Sequence, residues 1–480
     1  MSTSRLSLLL AIALMVSALI GIAMYTNSEV KPTPELEEAT VVFPTSLEAI
    51  EDHSEAPAME IQTWRTEAGT KVLFLPTEQL PMVDFRLTFN AGSARDGQLP
   101  GLARLTNAML DQGTQALDVT ALAEAFENIG AELSLDSHRD MAVAALTTLT
   151  DEPILNKAVD LFTQVLSEPS FPEENLNRLR TRTLQQLKMQ QQTPGPQLSR
   201  AFQAALFKEH PYGHPAIGTE ESLNQIDVQA LKRFYHTYYT AANATLAMVG
   251  DLDRQQAEAI SEQLTASLPQ GEAAPELPPA QIQTAEAVHI PFNSSQTHIT
   301  LGNQVVGREH PDYVPLFVGN HILGGGGFSA ILMDEVRQKR GLVYGIYSTI
   351  SPMAAAAPFT IQLQTANHNK DEALTLTLSL LREFVEKGPT DKQVALAIND
   401  LTGSFALGTA SNSALVGQLS VIGFYDLPLD YLSELYEALQ QVDAQAIQEA
   451  FAKHLNPEAL VMASIGPEAP KEEILHEQDE

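Results

Sequence analysis

The order of extended and helical patterns in this chain occurs twice, at an offset of roughly 211 to 216 residues, far beyond the ~20 to 50 residues of a solenoid unit. In the first half, β-rich patterns at residues 71–76, 83–90, 131–137 and 141–149 precede helical patterns at 153–166, 172–191, 196–207 and 228–238, and a strand at 244–249 closes the series. The second half places strands at 298–304, 342–351 and 359–365. Helices follow at 370–386, 391–407, 411–422 and 444–454, before a strand at 459–465. Even the closing strands are alike, NATLAMVGD from Asn243 against PEALVMASIGP from Pro457. A repeat of this size is a duplicated domain. Strands grouped before helices predict an α+β fold, each copy an antiparallel-rich sheet covered on one face by helices. The copies are expected at 59–267 and 285–467, joined by a linker at 268–284 in which Pro269, Pro275, Pro278 and Pro279 oppose regular structure.

Composition narrows the function. The 480 residues are 44% hydrophobic, enough for large cores. They carry 28 Lys and Arg against 60 Asp and Glu, a net charge of -32 that argues against a nucleic-acid partner. Cysteine is absent, so no thiolate metal site or thiol nucleophile exists. Residues 6–24 read LSLLLAIALMVSALIGIAM without a charge, long enough to cross a bilayer, with Arg5 before them. Residues 1–25 are therefore expected to be a membrane anchor or a cleaved signal segment, and 26–58 an acidic tether. The body is then exported to the periplasm, either anchored in a bacterial inner membrane or soluble after cleavage. An acidic tail is expected at 468–480.

Four segments stand out: AGSARDGQLPGLARLTNAMLDQGT from Ala91, HPYGHPAIGTEESLNQI from His210, NATLAMVGD, and LGGGGFSAILMDEVRQKRGLVYGIYS from Leu323. In this order they resemble the zinc-dependent peptidases of the pitrilysin/insulinase family, peptidase M16, in its mitochondrial-processing-peptidase-like branch. The resemblance implies a zinc motif H-x-x-E-H on the first helix, with the Glu activating a metal-bound water. Here Arg104 and Ala108 stand at the two His positions and Asn107 at the Glu position, and the family's third ligand, a Glu, lands on Gln185. A fixed cation, a methyl group and two amides cannot bind Zn²⁺ or take a proton from water. No other H-x-x-E-H or H-E-x-x-H occurs. His210 and His214 are four apart, but Pro211, Gly213 and Pro215 preclude a helix, which favours structural roles.

The second half departs from this pattern of loss. Arg337 and Tyr344 match the family's Arg/Tyr pair, which the resemblance implies faces a zinc site across the chamber, holding a substrate carbonyl and supporting the developing oxyanion. Arg340 is a weaker candidate for the same role. The resemblance further implies that residues 83–90 are an edge strand for peptide pairing. The run Gly324 to Gly327 is either a tight turn or a loop over the substrate channel. The acidic excess either biases the chamber toward basic peptides or only solvates the surface. The expected role is a non-catalytic, substrate-binding subunit without a metal of its own, whose homologous partner has an intact H-x-x-E-H site and the zinc. A scaffold or peptide-binding module without a protease partner is the alternative.

Overall fold

The computed structural model describes residues 59–467. The expected anchor or signal segment (1–25), the tether (26–58) and the tail (468–480) lie outside the described residues. Among the described residues no helix is long and apolar enough to cross a membrane.

Two sheets organise the chain. The first contains β1 (Gln62–Arg65), β2 (Lys71–Pro76), β3 (Met82–Phe89), β4 (Glu132–Ser137), β5 (Ala142–Leu149) and β6 (Ala244–Gly250) in the order β1-β2-β6-β3-β5-β4. The second contains β7 (Glu286–Pro291), β8 (Gln296–Val305), β9 (Val343–Ile350), β10 (Ala357–Ala366) and β11 (Val461–Gly466) in the order β7-β11-β8-β10-β9. β1 aside, the two orders superpose strand for strand, including one parallel pair in each. Lys71 faces Thr245 in β2/β6 as Glu286 faces Val461 in β7/β11, and the other pairs are antiparallel. The duplication is thus present in the hydrogen-bond topology.

One face of the first sheet packs on helices of its own half, with Phe85, Leu87, Phe89, Phe162 and Tyr239 among the fully buried residues. The second sheet buries Ile299, Leu301, Phe359 and Ile361 against its own helices, including Lys370–Lys387 and Ala444–His454. The expectation of a single helical face is corrected by what lies on the opposite faces. Helix Pro194–Phe207 of the first half places Leu198, Phe202 and Leu206 against Val461, Ala463 and Ile465 of the second sheet. Helix Asn412–Phe424 of the second half places Leu415, Val416, Leu419 and Ile422 against Leu73, Leu75, Ala247 and Val249 of the first. Each half therefore covers the other's sheet.

A buried polar cluster joins the same halves. Asp140 accepts hydrogen bonds from the hydroxyls of Tyr212 and Tyr425 (3.0 Å for Tyr425) and from the amide of Ala354 (2.9 Å). The Tyr212 hydroxyl in turn accepts from the Ala355 amide (3.1 Å). Residues 269–285 form no helix or strand. They are nonetheless fastened: Arg95 donates to the Pro275 carbonyl (2.6 Å), the Ala274 amide to Asn243 (2.8 Å), and Gln304 to the Gln281 carbonyl (2.7 Å).

One further expectation changes. Residues 83–90 are not an edge: β3 is paired on both sides, by β6 and by β5, and the free edge near the first helix is β4. Of the two readings of the glycine run, close packing in a tight connection accounts for its buried part. Helix Tyr313–Asn320 continues into a π-helical turn, His321–Gly325, packed on β9. A Cβ on Gly324 would lie 2.6 Å from the Ser348 backbone nitrogen, so close packing accounts for a glycine there.

Candidate functional site

Helix Leu102–Ala108 is the element that would carry the zinc ligands. The Asp96 carboxylate caps it, accepting from the amides of Gly101 (2.8 Å) and Ala103 (2.7 Å). Burial pushes this carboxyl up to about 7 even though both amides and Arg139 favour its charged form.

Asn107 is 2% exposed, and both ends of its amide are committed. Its Nδ2 donates to the Asp136 carbonyl on β4 (2.8 Å), and its Oδ1 accepts from the Tyr239 hydroxyl (3.1 Å). The side chain ties helix to sheet where the family's motif has a base. Arg104 donates to Gln186 Oε1 (3.3 Å), and burial together with Arg182 draws its guanidinium below the usual range. Ala108 is half-buried and offers no donor atom, while Gln185 is exposed and Gln186 is the residue that meets Arg104. At these positions a metal ion would meet the guanidinium of Arg104, with Arg182 nearby, and neither a carboxylate nor an imidazole. This residue set does not fit zinc.

His210 and His214 form no ligand pair either. His210 Nε2 donates to the Pro278 carbonyl (2.8 Å) and Nδ1 accepts from the Tyr212 amide (3.2 Å), so the ring is spent on backbone. His310, Asp312 and His454 bring metal-type donor atoms within 4.8 Å of one another. Lys453 (2.7 Å) and His454 (2.6 Å) both reach the same Asp312 oxygen, and these two contacts draw its carboxyl down to about 2. A cation would have to displace an ammonium group already seated there.

The second candidate cluster has a different character. The π-helical turn Met333–Gln338 carries Arg337, and β9 carries Tyr344. In the β9/β10 ladder Gln364 faces Gly345 but Thr365 faces Val343, so Tyr344 is the unpaired residue of a bulge. The bulge keeps Val343 buried while Tyr344 stands 60% exposed. β9 is an edge strand, and Tyr347 and Phe328 are also largely exposed. Arg340 is spoken for: it pairs with the Glu335 carboxylate (2.6 Å) and donates to the Glu335 carbonyl (2.9 Å). Arg337 touches only the Met333 sulfur (3.8 Å) and the ring of Phe328 (5.2 Å to its centroid), and has no carboxylate partner among the described residues. Among the described residues this leaves the Arg337 guanidinium and the Tyr344 phenol, with Tyr347 further along the same strand, as donors without a carboxylate or hydrogen-bonded oxygen partner.

Residues 71–220 match the family Insulinase (Peptidase family M16), and residues 225–401 match the family Peptidase M16 inactive domain. The chain belongs to the peptidase M16 family. Within it this M16 chain lacks the H-x-x-E-H motif. It is 42% identical to a crystallised peptidase M16 inactive domain from Pseudomonas fluorescens, covering 86% of this chain and 100% of that one with a TM-score of 0.84. It is 26% identical over 431 residues to an uncharacterized zinc protease of Mycobacterium tuberculosis, covering 87% of this chain and 96% of the relative. It is 25% identical over 405 residues to the non-peptidase homolog YmxG of Helicobacter pylori, covering 83% and 92%.

Proposed function

We propose that this chain is the non-catalytic, substrate-holding subunit of a two-chain M16 zinc peptidase, lending Arg337 and Tyr344 to a zinc site on a homologous partner with an intact H-x-x-E-H motif. One observation carries the reading: among the described residues no carboxylate claims the guanidinium of Arg337, while Tyr344 is raised from an edge strand by a bulge. Guanidinium and phenol are donors suited to a carbonyl oxygen whose negative charge grows during peptide hydrolysis. In this scheme the free edge of β4 pairs with the extended peptide, and zinc is held by the partner alone.

The test is a complex isolated through this chain, with peptide hydrolysis measured before and after substitution. Arg337→Ala and Tyr344→Phe should each lower turnover by about 10² to 10³ without dissociating the complex, whereas Arg340→Ala should be nearly silent. Full hydrolysis by a complex carrying both substitutions, or the absence of any metal-bearing M16 partner, would leave the scaffold reading in its place. We further propose that residues 6–24 anchor the protein in the inner membrane with the body in the periplasm. Mass spectrometry finding a mature terminus near Met24 would show a cleaved signal instead.

A further inference from the structure

We propose that a cavity at the β4–β5 turn is a carboxylate-binding pocket for the peptide held along β4, an inference that rests on the substrate-holding reading above. The cavity has a volume of about 740 Å³ and gathers Arg86, Arg139, Arg200 and Arg308 in its walls. In a chain with 28 basic and 60 acidic residues, such a lining runs against the overall charge. Its one acidic member, Asp140, is occupied by Tyr212, Tyr425 and the Ala354 amide.

The four arginines divide by what they hold. Arg139 donates to the His214 carbonyl (2.7 Å) and to Gln203, and Arg308 donates to the Pro352 carbonyl (2.9 Å) and lies over the Tyr425 ring (5.2 Å). These two build the wall. Arg86 and Arg200 have no hydrogen-bond acceptor and no carboxylate partner among the described residues. The Arg86 Nε is buried and unsatisfied. Asp84, two residues along β3, gives its carboxylate to Thr147 (2.5 Å) and does not pair with Arg86. A buried cationic N–H without an acceptor carries a desolvation cost that a bound acceptor removes, and a planar carboxylate matches the guanidinium fork with two oxygens.

Position supplies the ligand. Ser137 both ends β4 and lines the cavity, so the free edge of β4 runs into it. A peptide paired along six residues of that edge extends for about 20 Å and delivers either its C-terminal carboxylate or an Asp or Glu side chain to the arginines. Both sources present the same group. At this pocket the arginines favour an acidic group on the peptide, whatever the acidic excess does elsewhere on the surface.

The experiment is direct binding of a fluorescent, otherwise neutral extended peptide to the purified full-length chain in detergent, with no partner present. The peptide is made with a free or amidated C-terminus, and with an internal Glu or Gln. At low salt at least one acidic form should bind about tenfold or more tightly than the neutral form, and the advantage should shrink as salt rises. Loss of the advantage on amidation identifies the C-terminus as the ligand, and loss on Glu→Gln replacement identifies the side chain. Arg86→Gln and Arg200→Gln should each reduce the advantage while neutral-peptide binding stays the same. Arg200 is exposed, so its variant reports even if replacing Arg86 disturbs the sheet. Equal binding of neutral and acidic peptides, or an acidic advantage that survives the double variant, would overturn the pocket and leave the substrate-holding reading intact. Failure of every peptide form to bind would overturn both.

Discussion

Leu419→Ala tests the exchange of helices between the halves. Leu419 is fully buried in the second half's helix Asn412–Phe424, yet its packing partners include Leu73, Leu75, Ala247 and Val249 on β2 and β6 of the first. Removing three carbons from a closely packed site leaves a cavity, and Leu→Ala changes of this kind cost about 2.7 to 5 kcal/mol. Nearby Gly423 shows how little room there is for neighbours to collapse, since a Cβ there would already sit 2.4 Å from Thr245 Cγ2. The variant should unfold at lower urea concentration, and amide hydrogen exchange should accelerate in β2 and β6, more than 160 residues away in sequence. Phe202→Ala is the mirror experiment, predicted to loosen β11 through helix Pro194–Phe207. Faster exchange confined to helix Asn412–Phe424, with β2 and β6 as protected as before, would refute the claim that each sheet depends on the other half's helix.

Three other outcomes are expected. Asn107→Ala should destabilise the chain by about 2 to 4 kcal/mol in urea titration, because it strands the Tyr239 hydroxyl and the Asp136 carbonyl in the interior. Asp96 binds its proton more tightly folded than unfolded, so the stability it contributes is full below pH about 4 and falls as pH rises toward about 7, by roughly 1.4 kcal/mol per pH unit. Asp96→Asn should flatten that stretch of the stability profile. Gly324→Val should distort the π-helical turn against Ser348, visible as a lowered melting temperature.

The duplicated order of strands and helices was legible because most strands are apolar runs bounded by breakers and most helices show a 3.6-residue period. What escaped were β1, β7 and the helices Val119–Glu127, Glu220–Gln225, Arg254–Ala266 and Tyr431–Gln441. β7, EAVHIP, is only partly buried beside the proline-rich segment, so neither alternation nor hydrophobicity marks it. The degenerate zinc positions could be placed by their flanking sequence, but Gln186 rather than Gln185 meets Arg104, since residue counting cannot supply the rotation of one helix against another. The edge position of residues 83–90 was carried over from the family resemblance, and the sequence could not correct it because strand order in a sheet is not written in sequence order. The bulge at Tyr344 and the four-arginine cavity were beyond reach for the same reason. The first depends on register against β10, and the second collects its four arginines from four distant segments.

The reciprocal covers change the meaning of the segment at 269–285. A protease that cut it would divide the polypeptide without freeing either part, because each part would retain a helix locked beneath its neighbour's sheet and the Asp140 cluster would still bridge them. The covalent link acts chiefly as a concentration device: it raises the effective local concentration of one half around the other during folding, and afterwards contributes little to holding them together. A nicked molecule should therefore travel as a single particle in gel filtration and separate only under denaturant. Such a chain is best described as two interlocked subunits that share one backbone.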